Sequence, residues 1–335
     1  MAPARDLVSV LTWAASGRPL ALLGLWLGGC AAAALPAPDP PSPREAVSGP
    51  ARFGFWGMNG HLNAAGLARA RARFGATVVH TATVSPAAAL NTLLPLARSQ
   101  GVSASLRMTG DHGRYTGPLG GFDLEAWRAM FAPWAAAAAD LAPYVRDGTL
   151  IAHMLLDDIH NFPGRDPTAA ELDEMARVSH ATLPGLLTFV REKATAMPAP
   201  ASGRYQHVDA VVHQYRHREG PTQAWSDAQA ARARALDLGV ICGLNIANGG
   251  DGSSGQPGWG SGRFAMSARE IERHGAVLAA EPSCGLFLAW EYDAEERWSD
   301  GSVGADWFDQ PAQQAALAAL AARVAARPAA PLRRR

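Results

Sequence analysis

The chain has 335 residues, with 30 basic and 30 acidic side chains and a formal net charge of +0. This balance gives no field that would gather nucleic acid, so we expect no nucleic-acid partner. The hydrophobic fraction of 48% is enough for one large core, and α/β barrels of about 250 residues commonly form a single domain.

The first 30 residues have the pattern of an export signal. Arg5 and Arg18 precede an apolar run from Leu20 to Leu27, which is too short for a comfortable membrane span. The motif Leu27-Gly28-Gly29-Cys30 resembles the lipobox of bacterial lipoproteins, in which the cysteine becomes the acylated first residue. The resemblance implies a lipoprotein signal peptide over residues 1–30, lipidation at Cys30, and a membrane-anchored protein of the cell envelope, outside the cytoplasm. An ordinary cleaved signal or a short anchor helix is the alternative.

Three segments follow the signal. Residues 31–50 are rich in alanine and proline, which predicts a stiff, extended spacer. The barrel domain is predicted to span residues 51–328, and the basic residues 329–335 are expected to form a solvated tail.

Two cysteines, Cys242 and Cys284, remain after Cys30. An exported compartment would permit a disulfide between them. Its geometry does not follow from sequence, and we favour two buried free thiols as the interpretation.

One unit recurs from Arg52 onward: an apolar strand, a polar loop, a helix, and then a glycine before the next strand. The predicted strands are Arg52–Gly57, Ala76–Thr81, Val102–Met108, Leu150–Asp157, Leu186–Arg191, Ala210–Tyr215, Val240–Asn245 and Gly285–Glu291. The glycines that precede strands are Gly75, Gly101, Gly148, Gly185, Gly239 and Gly275. At a helix end, glycine takes the left-handed conformation that other residues resist. The alternation predicts a single (β/α)8 TIM barrel. The alternative, an open doubly wound sheet, would be favoured by a dinucleotide fingerprint after the first strand, and none is present.

The predicted helices have apolar stripes at helical spacing, as at Leu317, Leu320, Ala321 and Val324. Capping boxes are predicted at Thr168 with Glu171 and at Ser267 with Glu270, and an N-cap at Ser85. Pro95 and Pro133 predict kinks or breaks inside two helices. The segment after the fifth strand, Ala194 to Gln206, shows little helical period.

The fourth predicted strand ends in a cluster of polar groups. The mostly apolar run from Leu150 to Leu156 stops at Asp157 and Asp158, with His160 close behind. This pattern is typical of a buried parallel strand whose carboxyl end opens into a polar pocket. Because successive strand residues face opposite sides, only one of the two aspartates can point along the barrel axis, and the sequence leaves open which.

Polar or aromatic residues stand at the carboxyl ends of all eight predicted strands, where a barrel carries its active groups. The predicted substrate-binding residues are Trp56, Asn59, His61, His80, Arg107, His160, Arg191, Gln214, Tyr215, Asn245, Trp259, Trp290 and Tyr292.

The indoles at this face indicate the kind of ligand. Sugar rings present apolar C–H faces that pack on indole, and hydroxyls that pair with amides, guanidinium groups and carboxylates. Trp56, Trp259, Trp290, Trp298 and Trp307 map to this face or its loops. The loop from Gly249 to Trp259 is either a lid over the cleft or a plain surface loop. The mixture predicts a carbohydrate ligand.

The domain resembles the TIM-barrel glycoside hydrolases. Trp290 is similar to the tryptophan that many of these enzymes use as the floor of a sugar subsite, and Asp157 and Asp158 stand where their acid/base carboxylate stands. The largest clan carries Asn-Glu on strand four and a nucleophilic Glu on strand seven, whereas this chain has Asp-Asp and Asn245. The resemblance therefore implies the architecture and the chemistry class, without a specific family.

The resemblance implies cleavage of a glycosidic bond by a protonated carboxyl and an ionised one. Asp157 or Asp158 is assigned as the acid, and Glu291 on the facing strand eight as its partner. The wider spacing of inverting enzymes is favoured, with a retaining mechanism as the alternative. No metal and no cofactor are expected.

Two alternatives stay open. One is a non-catalytic surface lipoprotein that binds glycans. The other is a metal-dependent hydrolase or isomerase on the same barrel, with Asp157, Asp158, His160 and Glu291 as ligands. The sugar, its linkage and the oligomeric state are not specified by the sequence.

Overall fold

In the computed structural model of the protein, residues 51–83, 85–295 and 297–332 are described. The predicted signal peptide, the lipobox with Cys30 and the spacer over residues 31–50 lie outside the described residues. Within the described ranges, no helix is both long enough and apolar enough to cross a membrane.

The described residues form eight parallel strands that close into a barrel, because β1 pairs with both β2 and β8. The strands are β1 (Arg52–Trp56), β2 (Val78–Ala82), β3 (Ser103–Arg107), β4 (Leu150–Asp157), β5 (Leu187–Arg191), β6 (Ala210–Tyr215), β7 (Gly239–Asn245) and β8 (Cys284–Trp290). Each predicted strand is present, and the single (β/α)8 barrel is confirmed.

Helices cover the outside of the barrel. The α-helices are α1 (Ala64–Phe74), α2 (Pro86–Ala88), α3 (Leu94–Gln100), α4 (Leu124–Ala136), α5 (Ala138–Arg146), α6 (Ala169–Thr182), α7 (Thr222–Ala235), α8 (Ala268–Ala280), α9 (Gly304–Phe308) and α10 (Pro311–Ala325). Short 3-10 turns lie at His112–Tyr115, Ala194–Ala196 and His217–Glu219. The turn Ala194–Ala196 stands where a regular barrel has a helix between β5 and β6, as the weak helical period there predicted.

The helix boundaries follow the local chemistry. Both predicted capping boxes form, at the starts of α6 and α8, and Gly75 and Gly101 end α1 and α3 in the left-handed conformation. The prolines behave differently from each other. A π-helical turn, Ala89–Leu93, precedes Pro95, but α4 runs through Pro133 to Ala136, and the chain breaks only at Ala137.

Two of the glycines have another role than the one predicted. Gly239 lies within β7, where a Cβ would collide with the backbone of Leu332 at 1.5 Å. Gly275 lies inside α8, and a Cβ there would press on Leu320 of α10 at 3.0 Å. Close packing, and not a left-handed turn, requires glycine at both positions.

The C-terminal segment closes the amino end of the barrel. Leu332 is buried and belongs to the apolar cluster that fills the barrel interior. We expected residues 329–335 to be a solvated tail, and this was wrong for Leu332. The prediction followed the basic residues of this segment and overlooked Leu332, which packs against Gly239 and Gly285. A cavity of about 400 Å³ beside it, lined by residues such as Asp227 and Glu281, lies at this end of the barrel.

The two remaining cysteines are paired. Cys242 on β7 and Cys284 on β8 are both fully buried, their Cα atoms lie 5.6 Å apart, and they form a disulfide. The expectation of two free thiols was wrong, because the pairing of β7 with β8 brings both residues to one face of neighbouring strands. A single sequence does not fix that register.

Candidate functional site

Near its carboxyl end, each strand of the barrel carries one polar or indole side chain that faces inward. These are Trp56, His80, Arg107, Asp157, Arg191, Gln214, Asn245 and Trp290, called here the inner ring. Their orientation follows from the alternation of side chains along a strand. Val78, Phe189, Val212 and Leu288 fill the barrel interior, and the inner-ring residue stands two positions later on each of those strands. All eight residues were predicted to be site residues, and the structure brings them together.

Strand β4 reaches the inner ring by an irregular path. Its register against β5 shifts between Met154 and Leu156. Met154 lies in the barrel interior, whereas Leu155 and Leu156 both pack in the outer core between barrel and helices. Asp157 therefore returns to the interior.

Asp157 is held between two guanidinium groups. Its Oδ2 accepts a hydrogen bond of 2.9 Å from Arg107 Nη1, and its Oδ1 accepts one from Arg191 Nε. Burial alone would raise the pKa of Asp157, but Arg191 and Arg107 outweigh burial and hold it below its ordinary value. Asp157 is therefore ionised at neutral pH. Asp157 or Asp158 was assigned as the general acid, and Asp157 does not carry the proton that a general acid donates.

Asp158 adopts a different backbone conformation, with φ at 52°, which aspartate tolerates better than most residues. Its Oδ2 accepts a hydrogen bond of 2.5 Å from Arg191 Nη2, and its side chain is 36% exposed. Its backbone oxygen lies 3.2 Å from His112 Nε2. The carboxylate of Asp158 thus stands at the solvent-exposed edge of the inner ring, beside Arg191.

A further carboxyl, Glu192, was missed by the sequence analysis. It follows Arg191 at the end of β5, is buried, and accepts a hydrogen bond of 2.8 Å from the Lys193 backbone N–H. Burial raises the pKa of Glu192; the Lys193 N–H opposes this, and the charge of Asp158 adds to it. The run Arg191-Glu192-Lys193 was a signal for it, but the predicted site included only Arg191 from this run.

Glu291 follows Trp290 through a cis peptide bond and is buried. Its side chain lies against the loop after β1: a Cβ built on Gly57 would stand 2.7 Å from Glu291 Oε2. Gly57 also has a positive φ of 63°. Glycine at this position therefore makes room for the Glu291 carboxylate.

Trp56 and His80 are in contact within the inner ring, with ring centroids 4.0 Å apart and ring planes tilted by 35°. His80 Nδ1 lies 2.9 Å from Ser105 Oγ on β3. Burial, assisted by the charge of Arg107, lowers the pKa of His80 to about 3. The imidazole is therefore neutral at physiological pH and serves as a hydrogen-bonding group. The guanidinium of Arg191 lies 5.6 Å from the centre of the Trp56 ring.

The side-chain amide of Gln214 is the most unusual polar group in the inner ring. It is only 8% exposed, and within the described part of the chain neither its Oε1 nor its Nε2 has a hydrogen-bond partner. A buried polar group without a partner costs about 1–3 kcal/mol. Neighbouring Asn245 is different, since its Oδ1 accepts a hydrogen bond from the Asn248 backbone N–H at 2.9 Å.

Indole side chains gather on the β7–β8 side, where Trp259 and Trp290 form what is called here the aromatic wall. Trp259, 45% exposed, meets Trp290 edge to face at 5.9 Å. Trp290 also packs against a small buried cluster that contains Trp298 and Trp307. Trp259 comes from the long loop after β7, so this loop reaches the rim of the inner ring.

Five other predicted substrate-binding residues lie outside the inner ring: Asn59, His61, Tyr215, Tyr292 and His160. Tyr292 is fully buried among Phe55, Phe74 and Phe308, between barrel and helices, and His61 stacks on it at 4.5 Å. Asn59 donates to Asp293 at 2.7 Å. Tyr215 is buried on the outer side of β6 and donates to the Gly220 oxygen. His160 is exposed and paired with Asp166 at 2.6 Å. Four of the five lie beyond a strand end, where the inward and outward alternation no longer applies, and Tyr215 lies on the outer side of β6.

Comparisons with known proteins bear on the fold. No protein-family model and no curated protein matches this sequence. Among solved structures, the chain is similar to endo-glycoceramidase II from Rhodococcus sp. in complex with a cellobiose-like imidazole. The TM-score is 0.52 at 15% identity, over 82% of this chain and 79% of that chain. It is also similar to a candidate β-galactosidase from Bacteroides fragilis, with a TM-score of 0.50 at 12% identity, over 74% of this chain and 38% of that one. The predicted resemblance to TIM-barrel glycoside hydrolases thus holds at the level of the fold.

Proposed function

We propose that this protein binds a carbohydrate in the inner ring and acts on it as a glycoside hydrolase-like enzyme. The observation that carries the proposal is the unpartnered Gln214 amide among charged and indole side chains. An amide offers one acceptor and one donor group, and a sugar hydroxyl can pair with either. The solved structures with similar folds, described as glycosidases, support the same class of ligand.

The mixture of indole and charged side chains in and around the inner ring favours a sugar over a fully apolar ligand. Trp290 and Trp259 supply flat apolar surface at the rim, while Arg107, Arg191 and Asp157 form a charged arc on the β3–β5 side. A pyranose presents both kinds of surface. We expect its C–H face to lie on an indole and its hydroxyls to point to the charged arc.

For catalysis, we assign Asp158 as the general acid, which takes up its proton when the ligand displaces Arg191 from its carboxylate, and Glu291 as its partner. Asp157 orients Arg107 and Arg191. The acid donates its proton to the leaving glycosidic oxygen as the C–O bond breaks, and the partner activates a water molecule or attacks the anomeric carbon itself. Strands β4 and β8 lie half a turn apart in the barrel, so the two groups approach the sugar from opposite sides.

One alternative is favoured by a specific observation. Two arginines balance the charge of the ionised Asp157, and strand β7 ends in Asn245, where a catalytic carboxylate would otherwise stand. A protein with these features can bind glycans without turning them over. The metal-dependent alternative has less support: two arginines occupy Asp157, and His160 is exposed and engaged by Asp166.

A panel of oligosaccharides and glycolipids, scored for both binding and hydrolysis, distinguishes these functions. We expect hydrolysis of at least one member, and Glu291→Gln and Asp158→Asn should each remove hydrolysis while leaving binding in place. Glu272→Gln, an exposed carboxylate on α8, serves as the matched control. Binding without hydrolysis by the wild type would establish the glycan-binding alternative. Hydrolysis that survives both substitutions would exclude this pair.

We further propose that the protein is exported and lipid-anchored through Cys30. The motif Leu27-Gly28-Gly29-Cys30 after an apolar run supports this proposal. Cys30→Ser should release the protein from the membrane fraction. Undiminished membrane association of the variant would contradict lipidation.

A further inference from the structure

A second group of potential ligand side chains lies outside the inner ring. His217 stands in the turn after β6, while Glu270 and His274 lie one turn apart on α8. One nitrogen or oxygen atom from each of the three lies within 4.8 Å of the others. Glu270 and His274 are buried, and His217 is exposed. Residues four apart on a helix share a face, so the two buried groups are held side by side.

The hydrogen bonds of His274 show which of its nitrogens can bind a ligand. Arg273 Nη2 lies 3.0 Å from His274 Nε2. A guanidinium group only donates, so Nε2 is the acceptor and the neutral ring carries its proton on Nδ1. Nδ1 in turn lies 2.5 Å from Thr222 Oγ1 and donates to it. Histidines that bind metals are commonly oriented in this way, by a partner on the other nitrogen.

Glu270 is equally fixed in orientation. Its Oε2 accepts hydrogen bonds from the Ser267 backbone N–H at 2.8 Å and from the Ser267 hydroxyl at 2.9 Å. Its Oε1 accepts one from the Asp251 backbone N–H at 2.7 Å. A carboxylate oxygen has two lone pairs, so Oε1 retains one for a ligand.

We propose that His217, Glu270 and His274 bind a divalent transition-metal ion, for which Zn²⁺ is the best-suited probe. Two imidazoles and one carboxylate form a common zinc ligand set, with ligand atoms about 2.0–2.2 Å from the ion and water in the fourth position. Tetrahedral geometry at these distances places ligand atoms about 3.4 Å apart. The exposed side chain of His217 closes the remaining gap by rotation. Arg273, which is more than half exposed and lies 3.7 Å from Asp251 Oδ2, releases His274 Nε2 and keeps its pair with Asp251.

The bound ion links the turn after β6 to α8 and, through them, stabilises the long loop after β7 at the carboxyl end of the barrel. The backbone N–H of His217 donates to the Gly249 oxygen at 2.8 Å, and Glu270 holds the backbone of Asp251. Both contacted residues begin the long loop that places Trp259 against Trp290. The ion therefore stabilises the position of the aromatic wall. This inference does not depend on the proposed glycosidase activity.

The test uses the full chain, stripped of metal by a chelator and titrated with Zn²⁺ against a chromogenic competitor. We expect one Zn²⁺ per chain, and a weakening of at least about tenfold in His217→Ala and in Glu270→Gln. Glu270→Gln keeps the size of the side chain and one acceptor oxygen. His207→Ala, which removes a histidine just before β6 at the opposite end of the barrel, is the control and should bind as the wild type does.

Thermal unfolding with and without Zn²⁺ is the second readout. The ion should raise the melting temperature of the wild type and of His207→Ala, and leave that of His217→Ala unchanged. Either of two results would overturn the proposal: a wild type that binds no stoichiometric Zn²⁺, or His217→Ala and Glu270→Gln variants that bind it as tightly as His207→Ala does.

Discussion

At the scale of single residues, Asp157 shows how burial and charge compete in this site. Its side chain is 17% exposed and lies between Arg107 and Arg191. Removing one partner of a buried ion pair leaves uncompensated charge, which typically costs about 3–5 kcal/mol, although the intact pair contributes much less. The carboxylate of Asp157 is therefore needed to balance the charge of Arg107 and Arg191, and so for the stability of the fold, with or without a bound ligand.

The first prediction compares two aspartates that pair with the same arginine. Asp157→Asn should lower the free energy of unfolding by about 3–5 kcal/mol, because Arg107 and Arg191 lose their common counter-charge. Asp111→Asn should change it by less than about 1 kcal/mol, because Asp111 is 79% exposed and solvent screens its pair with Arg107. Urea unfolding at pH 7 measures both. Equal losses in the two variants would contradict this account of Asp157.

A second residue-scale prediction concerns acid stability. His213 is buried against Trp225, and burial lowers its pKa to about 3. A folded-state pKa below the unfolded value of 6.5 favours the neutral ring in the fold. Its contribution is therefore fully present above pH 6.5 and is lost as pH falls from 6.5 towards 3. By pH 5 the loss reaches about 2 kcal/mol, from about 1.4 kcal/mol per pH unit.

His213→Leu should remove this dependence. The difference in unfolding free energy between pH 7 and pH 5 should shrink by about 2 kcal/mol relative to the wild type. His80 and His153, with pKa values also lowered to about 3 by burial, remain in the variant and keep part of the slope. If the unfolding free energy of His213→Leu changes between pH 7 and pH 5 as much as that of the wild type, His213 does not contribute to the acid sensitivity.

At the scale of elements, the regular alternation of strand side chains accounts for most of what the sequence predicted. On β5, β6 and β8 it places Arg191, Gln214 and Trp290 inside the barrel, two residues after a buried apolar side chain. The alternation alone does not show which residue of β4 faces the barrel interior, because the register shift between Met154 and Leu156 interrupts it. Nor does it apply beyond a strand end, which is why Tyr292 was misplaced.

The amino end of the barrel gives an element-scale prediction. Leu332 belongs to the apolar cluster that fills the barrel interior. Leu332→Ala should lower the free energy of unfolding by about 2–5 kcal/mol, the usual range for a buried leucine. Leu119→Ala, at a leucine that is 94% exposed, should stay within about 0.5 kcal/mol of the wild type. Denaturant unfolding of both variants provides the comparison. A Leu332→Ala protein as stable as Leu119→Ala would mean that the C-terminal segment does not close the barrel.

At the scale of the whole molecule, a repeating strand and helix pattern was sufficient to predict the barrel, because each unit is specified locally. Contacts between distant units were harder to predict. The disulfide between Cys242 and Cys284 depends on strand register. The cluster of His217, Glu270 and His274 depends on how α8 packs beside the turn after β6. Neither relation has a local signal in the sequence.

The central claim is that the inner ring binds carbohydrate, and glycan-panel binding by the wild type and Gln214→Leu tests it most directly. The wild type should bind at least one glycan. Gln214→Leu should lose at least about tenfold in affinity, or about 1.4 kcal/mol, because the ligand loses its hydrogen bonds to the amide. Its melting temperature should equal or exceed that of the wild type, because an unpartnered buried amide is gone. A wild type that binds no glycan, or a Gln214→Leu variant that binds equally well, would contradict the claim.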